Sequence, residues 1–284
     1  MEKVALITDS TVYLPDSYLK KHKIHVVSLN VIDGEKSYKE LEIDNDFVFK
    51  RQDEKAGLTT SQPSPSEFVD AYNAAFKKGA EKVLVLTLSK GLSGTYQSAI
   101  LGRNMVEEKE AIHVFDTNNA AYGNELLLEK LVDLLAEEKS LDNVIKRMNQ
   151  VIENTYLYFT VENLYSLQKG GRLSKTQAFL GTVLRVKPII GIDDGKLKLT
   201  HKERTHKKVY DFLLNKVKED PNYSDDKRLN VRIITRNSEE NATALKEMVE
   251  AEFKNPKVAV TDYLGPVFSI HVGKKGFGLA WFFE

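Results

Sequence analysis

Through the first half of the chain, short β-branched runs alternate with longer stretches of helical spacing, and that rhythm admits few folds. Residues 4–7, 24–29, 83–87 and 112–115 read as strands, while 15–21, 45–54, 64–78, 93–108 and 118–136 carry helix starts and helical spacing of apolar residues. Strand–helix alternation predicts a parallel sheet covered by helices on both faces. We therefore expect a three-layer α/β/α domain with a four-stranded parallel sheet; if its order is 2-1-3-4, the loops after the first and third strands face each other across the switch point. Gly57-Leu58-Thr59-Thr60-Ser61-Gln62-Pro63-Ser64-Pro65 interrupts the pattern with a proline-marked extended loop before a helix capped by Ser64, which makes it a candidate binding loop.

After a helix over residues 141–153 the rhythm changes. Strands are predicted at 156–161, 188–192, 196–200, 231–235, 257–261 and 269–272, with helices at 162–169, 175–184, 206–218 and 239–253. Asp193-Asp194-Gly195 is a hairpin signal, so this sheet of six strands should contain antiparallel pairs. The boundary falls near residue 154. It separates an N-terminal parallel α/β domain, residues 1–154, from a C-terminal mixed-sheet α/β domain, residues 155–284.

Composition narrows the chemistry. The 284 residues carry 41 Lys+Arg against 41 Asp+Glu, so the formal charge is zero, and there is no cysteine. Thiol nucleophiles, disulfide frameworks and cysteine-ligated metal sites are thereby excluded. A neutral chain has no general attraction to nucleic acid or to an anionic membrane, and no nucleic-acid partner is expected. The apolar start is too short for a signal peptide and no run approaches about 18 residues, so a cytoplasmic protein is expected.

In an open α/β sheet, ligands bind beyond the carboxyl ends of strands where the connections diverge. Thr8-Asp9-Ser10-Thr11 and Leu88-Ser89-Lys90-Gly91-Leu92-Ser93-Gly94-Thr95 occupy such positions. A helix starting at Ser93-Gly94 offers free amides and a positive dipole end to a carboxylate or phosphate; Ser93 also reads as a plain N-cap. Asp9 and Asp116, each at a strand end, read as turn or cap residues. No G-x-x-x-x-G-K-[ST], no G-x-G-x-x-G after the first strand, no H-E-x-x-H and no G-x-S-x-G occurs, and of the histidines only His201 and His206 approach ligand spacing, so we assign neither nucleotide nor metal. Gly170-Gly171-Arg172-Leu173-Ser174 fits a C-cap followed by an N-cap, although Arg172 is not explained by that. His271, beside Gly273, reads as a hydrogen-bonded core histidine unless its position gives it a further role.

Thr8-Asp9-Ser10-Thr11, Thr60-Ser61-Gln62-Pro63, Leu92-Ser93-Gly94-Thr95-Tyr96-Gln97-Ser98-Ala99, Gly170-Gly171-Arg172-Leu173-Ser174, Lys187-Pro188 and Gly265-Pro266…His271-Val272-Gly273 occur in this order over nearly the whole chain. Together they resemble the DegV family of bacterial fatty-acid-binding proteins. The resemblance implies a long-chain fatty acid buried between the two domains and no further cofactor. It also implies a noncatalytic role like that of the binding subunit of bacterial fatty acid kinase. That subunit presents the bound acid to a separate ATP-using catalytic subunit, which makes acyl phosphate for phospholipid synthesis. Transient membrane contact is compatible with such a carrier. The carboxylate site would fall on Thr60, with Ser61 beside it, and on Ser93 with the Gly94 amide; Arg172 and His271 would belong to the surrounding polar network. Phe159, Leu173, Phe179, Leu180, Leu184, Phe268 and Ile270 are candidates for the tunnel wall. Arg204 lies in a basic segment that reads either as a solvated helix start or as a docking point for the kinase. Lys274-Lys275 replaces the small pair usual after the last motif. Two other readings are a serine esterase or thioesterase using Ser93 with His271, and a lipid sensor that does not present its ligand.

Overall fold

The computed structural model describes residues 3–162, 164–174 and 186–284. Its strands, in chain order, are β1 Val4–Asp9, β2 His25–Val27, β3 Asn30–Asp33, β4 Lys36–Lys39, β5 Thr59–Ser61, β6 Lys82–Thr87, β7 Ile112–Asp116, β8 Tyr156–Val161, β9 Lys187–Asp193, β10 Lys196–Glu203, β11 Leu229–Arg236, β12 Pro256–Thr261 and β13 Gly276–Phe283. The first sheet has every pair parallel, as the strand–helix alternation predicts, and its order is β2-β1-β6-β7, the 2-1-3-4 arrangement. Successive side chains leave it toward opposite layers. Leu6, Leu84 and Leu86 pack on Leu127, Leu131 and Met148 of helices Tyr122–Glu137 and Leu141–Glu153. Ile7, Val83 and Val85 pack on Phe68, Tyr72 and Ala99 of helices Pro65–Lys77 and Thr95–Arg103. Burial on both faces is why these strands read as unbroken apolar runs.

The second sheet runs β10-β9-β8-β13-β11-β12 and is mixed, with β11 and β12 parallel and the other neighbours antiparallel. Asp194 and Gly195, both left-handed, make the predicted β9–β10 turn. One face is closed by its own helices, His206–Lys218 and Glu239–Glu252, around Val231, Ile233, Leu279 and Trp281. The other face, with Leu157, Ile234, Ala280 and Phe282, meets Ala121, Tyr122 and Leu126 of the first half. The chain passes from the first layer stack to the second sheet between helix Leu141–Glu153 and β8.

Two expectations are corrected. Residues 269–272 are not a strand but lie in helix Pro266–Val272, which starts with proline at its first turn and ends at Gly273 with φ 86°. The sixth strand is β13, whose two glycines conceal it in sequence; seven of its eight residues are buried between β8 and β11, and that pairing overrides local propensity. A third sheet, β4-β3-β5, was not expected. Its hairpin turns through Gly34-Glu35, with Gly34, φ 62°, at the first turn position, whereas the β9–β10 turn has glycine at the second. Helix boundaries also tighten: the helix expected from 93 begins at Thr95, and the one expected from 118 begins at Tyr122. At helix Pro65–Lys77 the Glu67 carboxylate accepts from the Ser64 amide at 2.8 Å, so residues 64 and 67 close the end together. The helix expected at 175–184 lies outside the described residues.

Candidate functional site

The loops after β1 and β6 stand side by side where the connections of the first sheet diverge. Asp9 joins them: its carboxylate accepts from the Thr11 amide at 2.9 Å and the Leu88 amide at 2.8 Å. Asp116 holds the next loop, accepting from the amides of Lys90 at 3.1 Å and Asn118 at 3.2 Å. The β9–β10 turn reaches across from the second half, and the Ser89 hydroxyl donates to the Gly195 carbonyl at 2.6 Å. A β-carbon on Gly91 would stand 2.5 Å from that carbonyl, so the approach requires glycine.

Behind these loops lies a cavity of about 80 Å³ between the two sheets. The first half contributes Thr60 and Ser61 from β5, Leu88, Leu92 and Ser93 from the loop after β6, and residues 120–122. The second contributes Leu157 and Phe159 of β8, Leu197 of β10, Ile234 of β11, Arg172, and Phe268 and His271 of helix Pro266–Val272. Thr60, Ser61, Ser93, Arg172 and His271 are its polar lining; the rest is apolar apart from Tyr122, whose hydroxyl donates to the Tyr263 carbonyl at 2.9 Å. Ala121 adopts φ 45°, an uncommon conformation for alanine, at the point where the chain turns from the cavity wall into its helix.

His271 is buried, with Nε2 2.8 Å from Thr60 Oγ1. Burial, reinforced by the Arg172 charge, pushes its pKa down to about 3, so the ring is neutral near pH 7. Among the described residues its Nδ1 has no hydrogen-bond partner, and the backbone of Gly170 packs against it so closely that a β-carbon there would overlap the ring. Arg172 is half-buried; its Nε donates to the Leu92 carbonyl at 3.2 Å and Nη1 to the Gly170 carbonyl at 2.5 Å. Ser93 Oγ lies 2.9 Å from Thr95 Oγ1 and accepts from the Thr95 amide at 3.3 Å. The helix N-cap is Gly94, not Ser93, and Gly94 is covered by the Gln62 side chain instead of lining the cavity.

The structure thus brings Thr60, Ser61, Ser93, Arg172 and His271, the side chains singled out in the sequence, into the lining of one cavity. Phe159 and Phe268 stand in its wall, whereas Leu173 and Ile270 pack in neighbouring cores; Phe179, Leu180 and Leu184 lie outside the described residues. Arg204 is exposed in a separate groove with Lys187, His206 and Lys275. Lys274 bridges the halves, 2.8 Å from Asp53 and over the Phe49 ring. Residues 120–122 and the buried Glu40 went unnoticed in the sequence, the former because helical spacing was read from residue 118.

Among the described residues the esterase arrangement is not present: His271 Nε2 faces Thr60, Ser93 faces Thr95, and none of their carboxylates stands at Nδ1 to orient the ring as a base. Among the described residues no three His, Asp or Glu side chains stand together as a metal would need. His201 stacks on Phe212 and His206 sets its edge against Phe277. No helix among the described residues is long and apolar enough to cross a membrane.

A family model described as an uncharacterised protein, DegV family, matches residues 3–284. A DegV domain-containing protein of Listeria monocytogenes is 33% identical over 99% of this chain and 98% of its own. A fatty-acid-binding DegV family protein from Thermus thermophilus has a structure matching with TM-score 0.87 at 30% identity, covering 99% of each chain. DegV of Bacillus subtilis, a fatty acid binding protein, matches with TM-score 0.85 at 31% identity over 100% of both chains. With the motif order, the two sheets and the cavity between them, these matches make the chain a member of the DegV family.

Proposed function

We propose that this protein binds a long-chain fatty acid between its N-terminal half, residues 1–154, and its C-terminal half, residues 155–284, and presents the carboxylate to a separate ATP-dependent kinase. The observation that carries the reading is one apolar cavity with its polar side chains gathered at Thr60, Ser61, Ser93, Arg172 and His271. Solved relatives that bind fatty acids support it.

The chemistry follows from the lining. A carboxylate withdrawn from water needs several donors. With the His271 proton on Nε2, the ring donates to Thr60 Oγ1, and the Thr60 hydroxyl is free to donate to the ligand; Ser93 adds a second hydroxyl and Arg172 a cation. The unpartnered Nδ1 is then an acceptor lone pair, which is cheaper to leave dry than an N–H. Along the tail, about fifteen methylenes at about 0.8 kcal/mol each supply roughly 12 kcal/mol, enough for submicromolar affinity after several kcal/mol of association cost.

In this role the protein performs no chemistry on the acid. Phosphoryl transfer belongs to the kinase, and the acyl phosphate serves phospholipid synthesis. The absence of a phosphate-binding loop from the sequence and the Ser93 and His271 geometry agree with that division. Mass spectrometry of lipid extracted from the purified protein tests the binding step, and a fatty acid at about one per chain is expected. Finding none, together with no uptake of added palmitate or oleate, overturns it. Adding the kinase subunit and ATP to loaded protein tests presentation and separates a carrier from a sensor.

A further inference from the structure

Helix Pro266–Val272 belongs by chain to the second half, yet the first half holds it at both ends. At one end His271 meets Thr60. At the other, the Val267 amide donates to Glu40 Oε1 at 3.0 Å, across 227 residues of chain. The sequence at this end explains the need. Gly265, the N-cap, has no side chain to accept, and Pro266 has no N–H to donate, so Val267 carries an early amide that wants a partner. Glu40 supplies the acceptor that a serine or aspartate N-cap would.

Glu40 is itself fixed. The Ser10 hydroxyl donates to its Oε2 at 2.5 Å, the Tyr13 hydroxyl to its Oε1 at 3.1 Å, and Ser10 Oγ accepts in turn from the Leu29 amide at 2.9 Å. A β-carbon on Gly265 would lie 2.8 Å from Glu40 Oε1, so the helix end is drawn close against the carboxylate. Asn45 grips the side of the helix, accepting from the Ser269 hydroxyl at 2.6 Å. Among the described residues only Glu40 accepts from the Val267 amide. Seven residues make a rigid rod of about 10 Å, so a shift at Val267 is carried to His271.

We propose that Glu40 is a positioning residue for the headgroup end of the cavity. By capping this helix from the other half, it sets the height and rotation at which His271 stands against Thr60. The proposal rests on the fatty-acid reading for its consequence in binding, but not for the placement of His271.

Two measurements on full-length Glu40→Ala and Glu40→Gln test it. In lipid-free protein, ¹⁵N shifts of the His271 ring, assigned with His271→Gln, should move in Glu40→Ala toward those of a solvated histidine and stay near wild type in Glu40→Gln, which keeps an acceptor. Palmitate affinity should fall about fivefold or more in Glu40→Ala, as loss of a helix cap gives, while affinity for hexadecanol, which lacks the carboxylate, stays within about twofold. An unmoved His271 signal, or equal losses of palmitate and hexadecanol, overturns the proposal. If Glu40→Ala does not fold, Ser10→Ala, which frees one carboxylate oxygen, should move the His271 signal in the same direction, and no movement there overturns it. Wild-type protein that takes up neither probe overturns the fatty-acid reading alone, because the ring shifts still report on Glu40.

Discussion

Thr60 and His271, 211 residues apart in the chain, meet at 2.8 Å across the seam between the two halves. Neither half holds the polar end of the cavity alone. Thr60 sits on the three-stranded sheet of the first half, and His271 on a helix of the second that the same region grips through Glu40 and Asn45. Any ligand headgroup bound there reads the relative position of the halves, which ties binding to the seam staying closed.

Thr60→Val removes the hydroxyl and leaves the shape, so a bound carboxylate loses a donor and His271 its acceptor. We expect palmitate to bind about 1 to 3 kcal/mol more weakly, and Ser93→Ala to show a loss within the same range. Calorimetry with palmitate and with hexadecanol separates headgroup from tail, and only the acid should be affected. Unchanged affinity and unchanged phosphorylation in both variants would remove these side chains from the site.

Gly170→Ala places a methyl group against His271 Nδ1, and either the ring or the turn must yield. The ring is buried against Thr60, so headgroup selectivity should fall with about 1 to 3 kcal/mol of stability. Gly91→Ala instead drives a methyl into the Gly195 backbone carbonyl, which cannot rotate away, and should separate the β9–β10 turn from the loop bearing Ser93. Denaturant midpoints and lipid retention measure both. A Gly91→Ala protein with wild-type stability would show that the turn does not bear on this loop.

Buried ionisable groups pull stability in opposite directions with pH. Burial pushes the Glu40 carboxyl up to about 7, offset by donors from Ser10, Val267 and Tyr13 and aggravated by nearby Asp9; Glu125 is pushed to about 7 likewise by burial, against the charge of Arg232. A raised carboxyl favours folding below its unfolded value and loses that contribution as pH rises through about 7. His271, lowered to about 3, contributes fully above its unfolded value near 6.5 and loses stability as pH falls toward 3. Glu40→Gln should therefore gain on the wild type by about 2 to 3 kcal/mol between pH 5 and pH 8. His271→Gln should gain by on the order of 3 kcal/mol as pH falls from 7 to 4. Urea titrations across pH give both differences, and pH-independent differences would contradict the assignments.

What could be read beforehand follows physical lines. The parallel sheet was legible because Leu6, Ile7, Leu84 and Val85 are buried on both faces and leave unbroken apolar runs. β13 was not, because Gly276 and Gly278 depress strand propensity and only two flanking strands rescue it. Helix Pro266–Val272 resembled a strand because Ser-Ile-His-Val is short and β-branched; Gly265-Pro266 was the discriminating signal. The motifs singled out Thr60, Ser93 and His271, which the structure places in one cavity lining, but not that Glu40 reaches Val267, since a cap supplied from 227 residues away leaves no local pattern.

Arg204 tests the proposed kinase partner. It is exposed, following β10 and just ahead of helix His206–Lys218, in a groove it shares with Lys187, His206 and Lys275, and it does not line the cavity. Exposed charges of this kind steer association and matter less to the stability of the fold. Arg204→Glu should accordingly leave palmitate loading and the denaturant midpoint unchanged. With the kinase subunit present, acyl phosphate formation should slow by about tenfold or more at low salt, and the deficit should shrink as salt screens the wild-type attraction. Normal turnover at low salt would take this groove out of the docking surface, whereas a loss of lipid loading would mean that the substitution reaches the cavity.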